Sequence, residues 1–494
     1  MKKMNLLAMS LVSAAALSFS SCSSNDDLTS GGTQSQADGV YMTLKISGAT
    51  SHGTRTGVTD PNTPENGEAE ESTISNGMLY IYDGNTCVFR KVITSDMFKK
   101  APTQTTPGET NPIKVAVTGQ IKTNKEYTVY FLANNTTVTD PLAANASFTS
   151  TTGGANYAGE NNFVMFNQHD ASRDAAASKV KFIDDNKSET NPAQADEIKL
   201  DRVVARIDQP TFKEVTTVTP AADTKTSINA GNVIESIVLE GYAVSNLNNT
   251  SYVKQNWTVV NTDWTLNVLT TGTPKYYLDK ATYGSLYKAD GLGNFGTDKW
   301  KYAFENTTTD VDNATAVYFK VKATLKADAK DASDFQDGTF YRYDGRLYTS
   351  IQAIYNDAAT GAISNPFTET DGIAAADVVA KISDANGKLT EDEAKLAEFR
   401  QTYKIEVYRQ GVMYYRWAIS DNVYKPFNPN EETNTYSVLR NSIYRLNVTK
   451  VSEIGKDVPN GPEPDDPVKN PNFYMNVSVS INPWVLNAQP IELK

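Results

Sequence analysis

For proton transfer near neutral pH this chain of 494 residues offers two histidines, His52 and His169. No Ser-His-Asp or Cys-His constellation can be built around His169, and no helical histidine pair suits zinc. Carboxylates stand side by side at Asp184-Asp185 and Asp465-Asp466, in polar or Pro-rich loops. A glycosidase needs its two carboxyls about 5–10 Å apart across a cleft. Asp310-Val-Asp312-Asn313 carries oxygen ligands of the kind calcium takes, but the glycine and distal glutamate of an EF-hand are missing, so a loop turn is expected there. Gly291-Leu-Gly293-Asn-Phe-Gly296 spells GxGxxG. No apolar strand leads into it and Thr297 to Trp300 opens no amphipathic helix, so it is rejected as a nucleotide site. The expectation is a non-enzyme without metal or cofactor.

More telling is the chemistry that can be done to the chain. Met1-Lys2-Lys3 followed by an apolar run from Met4 to Leu17 reads as a signal peptide over 1–21, too short to span a membrane. Leu17-Ser-Phe-Ser-Ser-Cys22 resembles a bacterial lipoprotein box, which implies that Cys22 is acylated and becomes the first residue. Ser23-Ser24-Asn25-Asp26-Asp27 looks like the acidic stretch that sends Bacteroidetes lipoproteins to the outer surface. An ordinary signal peptide with a chance cysteine is the plainer alternative. Further on, Gly48 to Gly57 is a small-residue loop around Arg55-Thr56, of the kind proteases nick. Cys87 is left unpaired and is expected as a small apolar residue in a strand.

Between Cys22 and Arg55 lies one isolated strand. Val40, Met42, Leu44 and Ile46 alternate with Tyr41, Thr43, Lys45 and Ser47, so one face is apolar. The chain therefore opens with a lipid tether, a strand and a cleavable arginine loop. At the far end, alternation returns over 473–481 (Phe473, Met475, Val477, Val479, Ile481) after a Pro-rich spacer. Asn482-Pro483 interrupts it. A second apolar run, Trp484, Val485, Leu486, Ala488, Ile491 and Leu493, then reaches the end.

The body is built for sheets. Apolar residues make up 39%, with 26 Tyr, and Thr, Asn, Ser and Gly are abundant. Acidic residues exceed basic ones by 58 to 46, a net charge of −12 with no Lys/Arg cluster, so nucleic acid and anionic membrane surfaces are poor partners. A hairpin is expected over 78–93 about Asp83-Gly84, with strands over 113–117, 127–132, 163–166 and 198–207. Further strands fall at 233–239, 316–323, 339–343 and 441–454, with a hairpin over 403–417 about Gln410-Gly411. The best helix starts near Thr390, whose Glu393 completes a capping box, and 377–382 adds a turn or two. This is an all-β chain with minor helix. Its expected domains are a propeptide over 22–55, β-sandwiches over 56–208 and 209–483, and a terminal strand over 484–494.

Three stretches together resemble the Bacteroidales fimbrillins, specifically the major shaft subunit of the short fimbriae. They are Tyr414 to Ile419, Val438 to Val448 running on through Gly455, and Asn482-Pro-Trp484-Val-Leu486. The Leu200–Ile207 run and the lipobox, strand and arginine of the leader match the N-terminal half. The resemblance implies two tandem transthyretin-like β-sandwich domains in an outer-surface lipoprotein. It also implies that an arginine-specific protease cuts between Arg55 and Thr56, so that the strand 40–47 leaves and opens a groove. The strand 484–493 of the next copy then fills it, giving a head-to-tail polymer with tip and anchor subunits that supports adhesion and biofilm. The precursor would sit in the outer membrane by its lipid alone, and the product would be an extracellular pilus. A surface lipoprotein that binds polysaccharide and never polymerises is the alternative, and exposed Tyr/Trp platforms would favour it.

Overall fold

The computed structural model describes residues 39–47, 67–99, 112–150, 153–167, 178–212, 230–260, 263–269, 296–367, 373–420, 436–451, 453–458 and 475–483. Strands dominate it, in several sheets with few helices. The hairpin Gly77–Asp83 with Thr86–Ile93 turns where Asp83-Gly84 predicts, pairing Tyr82 with Cys87 and Asp83 with Thr86. It joins Lys125–Ala133, Met165–Asn167, Ile198–Arg202, Ile46–Ser47 and Ser178–Phe182 in a seven-stranded sheet. Facing it is a three-stranded sheet of Ala193–Gln194, Val40–Leu44 and Ile113–Val117. Leu79, Ile81, Val129 and Phe131 of the large sheet share one core with Val40, Met42, Leu44, Val115 and Val117 of the small one.

A second sandwich follows. One sheet holds Thr211–Phe212, Ser442–Val451, Ala205–Asp208 and Trp300–Ala303, with Met475–Pro483 along the other side of Ser442–Val451. The other holds Ile234–Ser245, Ala316–Leu325 and Val412–Ala418. The outer face of the seven-stranded sheet is itself covered: Tyr80, Tyr82, Leu132 and Phe166 pack with Val253, Phe304 and Ile443. Burial on both faces explains why Met78–Tyr82 and 129–133 read as unbroken apolar runs.

Four expectations need correction. The run 198–207 is two strands, because Val203-Val204 bends the chain out of the first sandwich and Ala205–Asp208 already pairs with Ser442–Val451. Residues 403–417 form no hairpin: Glu406–Tyr408 pairs with Phe340–Tyr343, whereas Val412–Ala418 pairs with Ala316–Leu325. Between them Gln410 has φ 52° and Gly411 φ 80°, and a Cβ on Gly411 would lie 2.2 Å from the Ala323 carbonyl oxygen. The helix Glu393–Tyr403 is capped by Asp392, whose carboxylate accepts from Ala394 N and Lys395 N, and Thr390 serves one step earlier by accepting from Asp392 N. Asn482 and Pro483 belong to the strand Met475–Pro483, which ends at the proline and not before Asn482, and at the last residue a missing N–H is tolerated. Helix is also more plentiful than expected, since Ile351–Ala359 and Ala375–Lys381 join Glu393–Tyr403 over a small sheet with Ile351, Ile354, Val378 and Leu396 inside.

Candidate functional site

The strand Val40–Leu44, continued by Ile46–Ser47, runs through the middle of its sheet. Antiparallel on one side, it sets Val40 opposite Val117, Met42 opposite Val115 and Leu44 opposite Ile113. Parallel on the other, it sets Met42 beside Ala193, Thr43 beside Gln194 and Ile46 beside Ile198. Ala195 N donates to the Thr43 carbonyl and Ile198 N to the Lys45 carbonyl, each at 3.0 Å. The alternation sends Val40, Met42, Leu44 and Ile46 into the core, where the last three have no exposed surface. Burying four such side chains is worth about 1.5–3 kcal/mol each. Lys45 reaches Glu197 at 3.1 Å from the half-exposed face. A segment only a few residues long thus fills a trough and completes backbone pairing on both flanks.

Where the description resumes beyond the arginine loop, the chain is clamped. Arg202 is fully buried and donates from Nε to the Glu71 carbonyl at 2.8 Å, from Nη2 to Ser72 Oγ at 2.7 Å and from Nη1 to Asn441 Oδ1 at 3.3 Å. Burial pushes its pKa down to about 9, still above neutral, so the charge stays. Arg206 holds the Glu71 carboxylate at 2.9 Å and Asp208 at 2.7 Å, and stacks 4.6 Å from the Trp300 ring centroid. Tyr302 donates to the second Glu71 oxygen at 2.7 Å, and Lys299 pairs with Glu68 at 2.9 Å. The partners come from both sandwiches, Arg202 from Ile198–Arg202 of the first and Arg206 and Tyr302 from Ala205–Asp208 and Trp300–Ala303 of the second, so residues 68–72 are tied to both.

Of the residues singled out in the sequence, Val40, Met42, Leu44 and Ile46 come together in this trough. Cys22, Arg55 and Thr56 lie outside the described residues, as do Trp484, Val485, Leu486, Ala488, Ile491 and Leu493, and also His52, His169, Asp465, Asp466, Gly291 and Gly293. Asp184 accepts from Thr123 Oγ1 at 2.8 Å and pairs with Lys187 in a short helical turn. Asp310 accepts from Asn313 Nδ2 at 2.8 Å in another. Gly296 exchanges backbone hydrogen bonds with Tyr242 at 3.0 and 3.1 Å. Cys87 is a half-buried thiol in the strand Thr86–Ile93. Among the described residues the exposed large apolar side chains are Val92, Ile183 and Val238. No helix among them is long and apolar enough to cross a membrane, which says nothing of β-barrels.

Two parts of the site went unread in the sequence. Ala193–Gln194 is a two-residue strand whose partner lies some 150 positions away, and no local pattern marks it. The clamp left a trace, two arginines at positions 202 and 206 inside an apolar run, where unpaired charges do not stay.

Residues 406–490 match the family of major fimbrial subunit protein type IV, fimbrillin, C-terminal. Among solved structures, the chain is similar to a fimbrilin (fimA) of Porphyromonas gingivalis W83, at 14% identity and a TM-score of 0.39, over 91% of this chain and 99% of that one. It is similar to the tip fimbrial protein Mfa3 of Porphyromonas gingivalis, at 11% identity and a TM-score of 0.33, over 90% and 99%. A fimbrial assembly protein of Parabacteroides distasonis ATCC 8503 matches at 15% identity and 0.31, over 59% and 87%. Among curated proteins none matches in sequence.

Proposed function

We infer that this chain, a fimbrillin by its C-terminal region, is a structural subunit of a cell-surface pilus, and that its leader strand holds the place of a neighbour's. In this reading Cys22 is lipidated and carries the precursor to the outer membrane. An arginine-specific protease cuts between Arg55 and Thr56, and the strand 40–47 departs. Residues 484–493 of another copy, with Trp484, Leu486, Ile491 and Leu493 as its bulk, take the trough.

The observation that carries the reading is the position of Val40–Leu44, mid-sheet and buried, just ahead of the arginine loop. Tethered, that strand competes at an effective concentration of order millimolar, and a strand from another molecule gains little against it. Cut free, it is diluted away and leaves unpaired backbone and apolar surface that a strand can complete. One donor at one end and one acceptor at the other make the contact heterologous, which grows filaments open at both ends. An apolar tail favours a shaft subunit, since a tip subunit needs no donor, with tip and anchor subunits as the terminal partners.

Arg55→Ala tests it. The expected product is lipidated, folded, unpolymerised precursor, whereas the wild type yields filaments whose first residue is Thr56. SDS-resistant ladders from Arg55→Ala with the leader retained would overturn the cleavage step, and a blocked Cys22 on the mature surface form would favour a static, sugar-binding lipoprotein.

A further inference from the structure

We propose that the trough is not a preformed slot: once the leader strand is gone, Ile113–Val117 and Ala193–Gln194 lose their order together, and the site folds as it takes the incoming strand. This rests on the reading above that the leader departs.

The sheet order is flank, leader, flank. Among the described residues the leader is the only strand partner of Ile113–Val117, and it is likewise the only one of Ala193–Gln194. The flanks never pair with each other. Taking the leader away therefore removes every strand hydrogen bond of both, and the freed N–H and C=O groups line a trough whose floor is apolar. Ile113, Val115, Val117 and Ala193 are buried in the same core as Val40, Met42, Leu44 and Ile46. Interiors are close-packed, and a hollow the size of four side chains is not held open by walls that have just lost their own pairing. A two-residue strand with nothing beside it has no independent stability.

The loosening has a boundary. Ile198–Arg202 keeps its pairing with Met165–Asn167 after the leader leaves, and Arg202 holds Glu71, Ser72 and Asn441. The large sheet loses the edge pairing of Ile46–Ser47 with Ile198 and Lys199 but keeps the pairing among its other strands, and no strand of the second sandwich pairs with the leader. What is left is a folded body with one face that orders on binding. Part of the donor's binding energy is then spent on ordering the flanks, which slows association and keeps a ready-made sheet edge from gathering wrong strands.

Hydrogen exchange reads this out. A foreign protease site is placed between Thr56 and Gly57 in a chain lacking 484–494, so that cutting does not depend on the native protease and no donor competes. After cutting and gel filtration, amides of 113–117 and 193–195 are expected to exchange at least about 100-fold faster, while that of Asp196, which donates to the Lys179 carbonyl, and those of 205–208 and 442–451 stay as they were. A synthetic peptide of residues 39–48 should restore the slow rates. A native leader that stays bound after cutting counts against its departure, and so against the proposed function. In that event a Met42→Asp leader, whose carboxylate the core does not accept, vacates the trough and the flanks are read in the same way. Leader gone with 113–117 still protected overturns the proposal.

Discussion

Glu71 and Arg206 form an ion pair at 2.9 Å with both side chains almost wholly buried, joining the segment just beyond the leader loop to the first strand of the second sandwich. Breaking one side of a buried pair leaves the other charge uncompensated, at about 3–5 kcal/mol. Asp208 still holds Arg206 when Glu71 is removed, so the low end applies, and Tyr302 loses its acceptor as well. Glu71→Ala is expected to destabilise the precursor by about 3 kcal/mol in urea titrations. Glu71→Gln, which still accepts from Tyr302, should cost less.

Leu44 is the leader residue whose truncation should act on assembly more than on the rest of the fold. It is completely buried opposite Ile113, and Leu→Ala at such sites costs about 2–5 kcal/mol. That loss falls on the leader's hold and leaves the large sheet's own pairing untouched. In Leu44→Ala the cut leader should leave at least about tenfold faster, and filament growth followed by light scattering should shorten its lag. An unchanged lag would mean that leader release does not limit assembly.

Deleting residues 484–494 removes the proposed donor. The strand Met475–Pro483 stays paired with Ser442–Val451 from Met475 beside Val451 to Pro483 beside Ser442. The shortened chain should fold, lose its leader and act as a chain terminator, capping filaments when mixed with wild-type subunits. Filaments of normal length from the shortened chain alone would place the donor elsewhere.

The legible parts of this molecule are those whose pattern is local. Val40 to Ile46 alternates strictly because one face of the strand is buried, and the Asp83-Gly84 hairpin announces itself because Gly84 supplies a φ of 57° at the turn. The illegible parts are decided at a distance. Val203 and Val204 look like more of the same strand, and only the partners on either side, Met165–Asn167 and Ser442–Val451, show that the chain changes sheets there. Gln410-Gly411 resembles a hairpin turn, yet the glycine is needed because its backbone lies against the Ala323 carbonyl. The helix Ile351–Ala359 does carry a helical period, with Ile351, Ile354, Tyr355 and Ala358 packing on one core, but over nine residues that pattern is short and easily passed over.

Cys87 bears on how the proposed filament would be held together. The chain has two cysteines, and lipidation of Cys22 in the proposed maturation leaves Cys87 as the sole thiol. Its Sγ lies half-buried and donates to the Phe89 carbonyl at 3.5 Å. Burial, and after it the charge of Asp140, raises its pKa above the ordinary thiol value. Less thiolate is then present at pH 8 than on an exposed cysteine, and thiolate is the reacting form. Alkylation of the folded protein at pH 8 should run at least about tenfold slower than that of a free peptide thiol, rise as the pH climbs past the usual thiol range, and recover fully in urea. SDS-resistant ladders should accordingly be indifferent to reductant if, as proposed, strand insertion and not a disulfide joins the subunits. Ladders that collapse under dithiothreitol would make Cys87 the link and remove the need for a donor strand.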